Sequence, residues 1–169
     1  MKEIYLFDNG AYWKISSKWM LKRFDCTPEG IRTKCRGKCC YGPLWPGCTG
    51  KDGKCPFLGE NGCKISDITK RPITCLLYPL KLNKNNTLVV HLKGILKNMP
   101  CEKCYGSGPL LIDLMGDTFS FIFGPDNFER IRNQVLGGKD EFICLKTSIL
   151  ERYKKERELE KNNKSPEEL

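Results

Sequence analysis

"CRGKCCYGPLWPGC", residues 35–48, places four cysteines in fourteen positions, two of them adjacent. From Cys35 to Gly62 the composition is Gly, Pro, Lys and Cys with little apolar periodicity. Such a stretch buries too little apolar surface to offset the entropy of ordering it, so something other than packing has to hold it. Bound metal is the candidate, because clustered thiolates suit soft metals. The fold expected around it is a small α+β domain of hairpins and short helices, with a loop-rich metal region and C-terminal helices covering one side.

The chain of 169 residues suits one domain, read as residues 1–161 with a loose tail at 162–169. Within it, the cysteine-cluster core spans about 32–105, and a C-terminal hairpin and helices occupy 106–161. The start, "MKEIYLFDNGAYWKI", has no apolar run of secretory-leader type, and no stretch reaches the ~18 apolar residues of a membrane span. A cytoplasmic location without membrane attachment is the expectation. Eleven cysteines in a reducing compartment point to metal ligation, with a disulfide framework of the hyperthermophile kind as the alternative.

Charge is placed unevenly. Residues 31–105 hold fourteen Lys/Arg against four Asp/Glu, while the flanks are close to balanced, and the whole chain is +9. The excess reads either as a footprint for nucleic acid or another polyanion, or as local neutralisation of thiolates, which formal charge omits.

Along the chain, "EIYLF" and "AYWKI" flank Asn9-Gly10 and predict a hairpin. "SSKWMLKRF" predicts a short helix capped at Ser16 or Ser17 and ending near Asp25, with Trp13 and Trp19 as core residues. A helical segment capped at Ser66 is expected in "SDITKRPITCLLYPL", with Pro72 breaking it or starting another turn. "NKNN" between "LLYPLKL" and "TLVVHLKGIL" predicts a second hairpin, and Gly116-Asp117 between "LLIDLM" and "TFSFIF" a third. "PDNFERIRNQVLGG" has helix punctuation at both ends and a stripe of Phe128, Ile131, Val135 and Leu136. A last helix is expected over roughly 139–160, solvated after Tyr153.

Nine cysteines lie between 35 and 104, at 35, 39, 40, 48, 55, 63, 75, 101 and 104, with Cys26 and Cys144 outside. Close pairs two to four residues apart mark mononuclear zinc sites, and here only Cys101 and Cys104 have the Cys-x-x-Cys spacing. Adjacent side chains on extended backbone point to opposite faces, so Cys39-Cys40 addresses either two metal centres or one centre and the core. A polynuclear cluster, with iron atoms at separate corners, accepts thiolates from several directions.

These residues resemble the YkgJ-like cysteine-cluster family, known for its CxxCxxCC signature and described as a zinc- or iron-chelating domain. The matching positions are Cys35, Gly37, Cys39 and Cys40; Cys55, Pro56, Phe57 and Leu58; Cys63 and Ile65; and Arg71, Pro72, Cys75, Tyr78 and Pro79. The resemblance covers about residues 32–105. The family's first cysteine would fall at Arg32, and Cys26 or Cys48 is the candidate to replace it. Cys48 and Cys104 look like additions, while Cys101 matches a late cysteine of many members. Relatives include the cysteine-cluster portion of flagellin lysine methylases, which implies that the module can serve an enzyme.

Conventional catalytic groups are few. His91, the one histidine, sits in the predicted strand "LVVHL", where a structural role and a metal or proton-transfer role both stand. "CYGSGP" is a lone Gly-x-Gly, read as a turn. Arg71 beside a thiolate cluster would hydrogen-bond sulfur and tune it, or else form a surface salt bridge.

Three functions follow from these readings. The first is an iron–sulfur (4Fe-4S favoured) or polynuclear iron protein in electron transfer or metal-centred catalysis. Its metal residues are Cys35, Cys39, Cys40, Cys55, Cys63 and Cys75, with Cys48, Cys101 and Cys104 completing a second site or shell and Arg71 in support. The second is a structural zinc module that engages nucleic acid or a protein partner through Arg32, Lys34, Arg36 and Lys38. The third is metal delivery or storage.

Overall fold

The computed structural model describes residues 12–40, 53–91 and 102–162. In chain order the elements begin with β1 (Tyr12–Ile15), α1 (Ser17–Met20), β2 (Arg23–Phe24) and α2 (Pro28–Gly30), which runs into a wide helical turn at Ile31–Cys35. A tight turn at Lys38–Cys40, β3 (Leu58–Gly59), β4 (Gly62–Cys63) and a turn at Ile68–Lys70 follow. Then come α3 (Ile73–Leu77), β5 (Leu80–Leu82), β6 (Thr87–Val90), β7 (Tyr105–Leu110) and α4 (Leu111–Leu114). The chain continues through α5 (Gly116–Phe123), α6 (Pro125–Leu136), β8 (Glu141–Cys144) and α7 (Thr147–Asn162). The α+β class is as the sequence predicts.

The main sheet has the order β5-β6-β1-β8. β1 runs parallel to β6, with Ile15 opposite Leu88, and antiparallel to β8, with Trp13 opposite Ile143. Alternate residues Trp13 and Ile15 are fully buried, as period-two patterning requires of a sheet with one face on the core. Trp13 meets Phe123 and Tyr153 edge-on, at ring separations of 6.2 and 5.3 Å. Trp19 packs against the same core. The predicted hairpin thus contributes its second arm only as a strand flanked by β6 and β8; its first arm lies outside the described residues.

β5 and β6 form the hairpin expected at "NKNN". Asn83 Oδ1 accepts the N–H groups of Asn85 and Thr87, and Asn86 takes the left-handed φ of 55° that asparagine tolerates. α6 also follows its punctuation, except that Leu136 is exposed and the buried stripe is Ile131 and Val135, with Phe128 half-buried.

Several expectations are corrected. The first helix ends at Met20, not Asp25, because Arg23 and Phe24 leave it to pair with β7. The residue capping the Ile68–Lys70 turn is Asp67, whose Oδ1 accepts from Thr69, and not Ser66; Pro72 then immediately precedes α3. The Gly-rich "YGSG" is strand β7, not a turn. The hairpin expected around Gly116 is the helix pair α4 and α5: an apolar run buried on several sides shows no alternation to separate strand from helix, and Leu and Met favour helix. The last helix starts at Thr147, because "EFIC" buries Ile143 and completes the edge of β1. Nor is that helix wholly solvated after Tyr153, since Glu156 is only 8% exposed.

The principal core joins the sheet to α3 through α7, with Leu111, Ile112, Phe119 and Ile122 fully buried. A smaller cluster of Cys55 and Leu58, with Cys40 against it, sits apart under the cysteine segment. No described helix is long and apolar enough to cross a membrane.

Candidate metal centre

The small size of the second cluster agrees with the composition of its segment: too few apolar groups are present to order it by burial alone. Local geometry is set by backbone turns. Arg36 and Gly37 both have positive φ, 51° and 67°, which swings the chain out of the Ile31–Cys35 turn and into the Lys38–Cys40 turn. Gly37 suits the position in a second way, because a Cβ there would lie 2.4 Å from Leu58 Cδ1 and Leu58 would have to shift. Cys40 and Cys55 are tied by the bond from Cys55 N to Cys40 O at 2.7 Å, and β3 and β4 place Leu58 opposite Cys63.

These turns surround one cavity of about 230 Å³. Cys35, Cys39 and Cys40 line it from the turns, Cys55 and Cys63 from around the β3–β4 ribbon, and Cys75 from α3. Cys26 is a seventh thiol on its wall. Arg71, Phe57, Leu58 and Tyr78 complete much of the remainder. Six of the nine predicted ligands and Arg71 therefore come together. Cys104 is fully buried and does not line the cavity, but it hydrogen-bonds Cys35 from behind. Cys48 and Cys101 lie outside the described residues. Among the described residues, no group of three or more His, Cys, Asp or Glu side chains is set to hold a single metal ion.

The electrostatics divide the thiols. Burial, then the nearness of Cys35 and Cys104, pushes the Cys26 thiol far above its ordinary value of 9.0. Burial and Cys35 likewise push Cys104 up to about 12, while the Lys34 ammonium acts the other way. By contrast, a hydrogen bond from Cys39 lowers Cys40 against the effect of burial and of Cys35.

A polar clip supports the buried group. Lys34 Nζ stands 2.6 Å from Asp25 Oδ2 and 3.0 Å from Ser107 Oγ, and Asp25 N donates to Cys104 O at 2.9 Å. Lys34 is therefore turned inward. Arg32 reaches Asn61 Oδ1 at 3.5 Å and is exposed, as is Arg36, while the Lys38 side chain lies outside what is described. Arg71 donates from Nε to Ile65 O at 2.6 Å, and among the described residues no carboxylate pairs with it. His91 is outside the cavity lining, its backbone N–H bonded to Pro79 O, and burial followed by Lys81 lowers its basicity.

The donor set suits a metal cluster in kind. Thiols are the ligands that soft metals and iron–sulfur clusters take. The cavity exceeds by an order of magnitude the ~10–15 Å³ that one water-sized sphere occupies. Its walls gather cysteines from chain segments that spacing alone does not connect. Cys26 has no spacing signal; only the family's missing first cysteine pointed toward it.

No protein-family model, curated protein or solved structure matches this chain.

Proposed function

We propose that this chain is a metal-binding cysteine-cluster protein of the YkgJ-like kind, whose centre is an iron–sulfur or polynuclear iron cluster, 4Fe-4S favoured. The observation that carries the reading is the convergence of seven cysteines on one cavity from several chain segments. Cys35, Cys39, Cys40, Cys55, Cys63 and Cys75 would hold the cluster, with Cys26 as a further ligand and Cys104 in support. Such a cluster supplies one-electron chemistry, so electron transfer or metal-centred catalysis is the activity proposed.

The chain's own residues have defined parts in this reading. Arg71, held by Ile65 O, brings a permanent positive charge to the cavity wall, which favours thiolates and lowers their basicity. Phe57, Leu58 and Tyr78 add apolar surface to the wall. The Lys34 ammonium places a positive charge near Cys104.

A structural zinc module is the second reading, favoured by the exposure of Arg32, Arg36, Lys64 and Lys70, which leaves a basic surface for nucleic acid or a protein partner. One experiment separates the two: anaerobic purification, metal and acid-labile sulfide quantification, and an absorption spectrum. Iron with matching sulfide and a broad band near ~400 nm is expected. Stoichiometric zinc in a colourless protein would overturn the first reading in favour of the second.

A further inference from the structure

α3 has five residues, Ile73–Leu77, and carries Cys75 onto the cavity wall. A helix so short has no stability of its own, since nucleation outweighs the one or two bonds it closes. What holds it comes from α7. Glu156, only 8% exposed, accepts the Ile73 N–H at Oε2, 2.7 Å away, and also the Thr74 N–H. Arg152 donates from Nη1 to Thr69 O at 2.5 Å and from Nη2 to Arg71 O, and its Nε bonds Glu156 Oε1 at 3.1 Å. At the other end Thr118 Oγ1 donates to Leu76 O at 3.3 Å.

Two amides and two carbonyls in the six residues immediately before Cys75 are thus held by two side chains of one distant helix. A buried carboxylate is costly unless fully paired, and one that is paired fixes the geometry of its partners. Arg71, whose backbone carbonyl is one of those held, faces the same cavity as Cys75.

We propose that Arg152 and Glu156 are positioning residues for the thiolate site: they clamp the Thr69–Thr74 backbone so that Cys75 and Arg71 face the cavity, making the C-terminal helix a determinant of the site's geometry. This rests on the reading of the cavity as a thiolate centre.

The test uses full-length protein purified anaerobically: wild type, Glu156→Ala, Glu156→Gln and Arg152→Gln. Each is pulsed with iodoacetamide and the alkylation rate of every cysteine peptide is followed by mass spectrometry, with iron, zinc and sulfide measured on the same samples. Loss of the clamp opens this segment locally, so Cys75 should react about tenfold faster in Glu156→Ala and in Arg152→Gln. With metal stripped from every sample by chelation, after the metal analysis and before the pulse, so that release of a shared cluster does not expose both thiols, Cys35, outside the clamped segment, should change by less than about twofold. Glu156→Gln, which keeps an acceptor for the Ile73 N–H, should lie nearer wild type than Glu156→Ala does. Unchanged Cys75 rates in both disruptive variants, equal acceleration of Cys35 and Cys75, or a glutamine variant indistinguishable from alanine would each overturn the clamp. A wild type without iron, sulfide or zinc would overturn the metal reading instead, and the Cys75 rates would still decide the clamp.

Discussion

Replacing Gly37 by alanine tests whether the turn between Cys35 and Cys39 is packed as tightly as the structure places it. The residue has φ 67°, where a Cβ costs about 1–2 kcal/mol. Part of that, about 0.4–1 kcal/mol, is offset by the stiffer unfolded chain. The new Cβ would lie 2.4 Å from Leu58 Cδ1, 3.2 Å from Cδ2 and 3.4 Å from Cγ. Leu58 is 6% exposed and packs with Cys55 and Cys40, so displacing it adds an overpacking cost of about 1–3 kcal/mol. The expected destabilisation is about 2–3 kcal/mol. Gly53 is the control: its φ is 73°, yet nothing lies within 4 Å of its would-be Cβ. Gly53→Ala should therefore cost no more than about 1.5 kcal/mol. Both are read by urea unfolding of the full chain under anaerobic, reducing conditions, comparing midpoints at constant slope. In a double-mutant cycle, Leu58→Ala should relieve part of the Gly37→Ala cost, with a coupling of about 1–2 kcal/mol. Equal costs for Gly37→Ala and Gly53→Ala, within about 0.5 kcal/mol and without coupling, would refute the reasoning.

Further outcomes follow from the site. Cys26→Ser should lower metal content in purified protein, whereas Cys144→Ser, at an exposed position on β8, should leave it unchanged; equal content in both variants removes Cys26 from the site. The Lys34 ammonium, then Thr27, holds the Asp25 carboxyl below its usual 3.8, so its contribution to stability is full above that pH and is lost as pH falls through the lowered folded value. Asp25→Asn should accordingly flatten the loss of stability on acidification below pH ~4, and parallel acid profiles would contradict this. Chelation should speed amide exchange in residues 35–40 and 53–63 while α6 keeps its protection; unchanged exchange in the cysteine segments would separate their order from metal.

How much of this was legible depended on which force acts on each segment. α6 was readable because Pro125, Asp126 and Gly137-Gly138 mark its ends and its buried stripe has period 3.6. The "NKNN" hairpin was readable because asparagine supplies both the side-chain acceptor and the left-handed residue. "LLIDLM", "TFSFIF" and "EFIC" were misread because tertiary contacts decide them: Phe119 and Ile122 are buried in the core as α5, and Ile143 finds an open edge of β1. At the site, the cysteines of the 35–75 run announced themselves by number. Cys26 did not, since it stands alone in sequence nine residues before Cys35, and neither did Glu156, whose charge suggested a solvated face.

The parallel contact between β1 and β6 joins Lys14 to Thr87, so the cysteines from Cys26 to Cys75 lie on an excursion between two neighbouring strands. Closing a flexible loop of that length costs about 4 kcal/mol in chain entropy. Whatever orders the excursion shortens the effective loop and reduces that cost, and a closed sheet in turn holds the ends of the excursion together and raises the local concentration of its thiols. On the proposed metal reading, sheet formation and ligand loading would therefore be linked in both directions: loading should accelerate folding of the sheet, and a sheet already formed should tighten binding at the cavity.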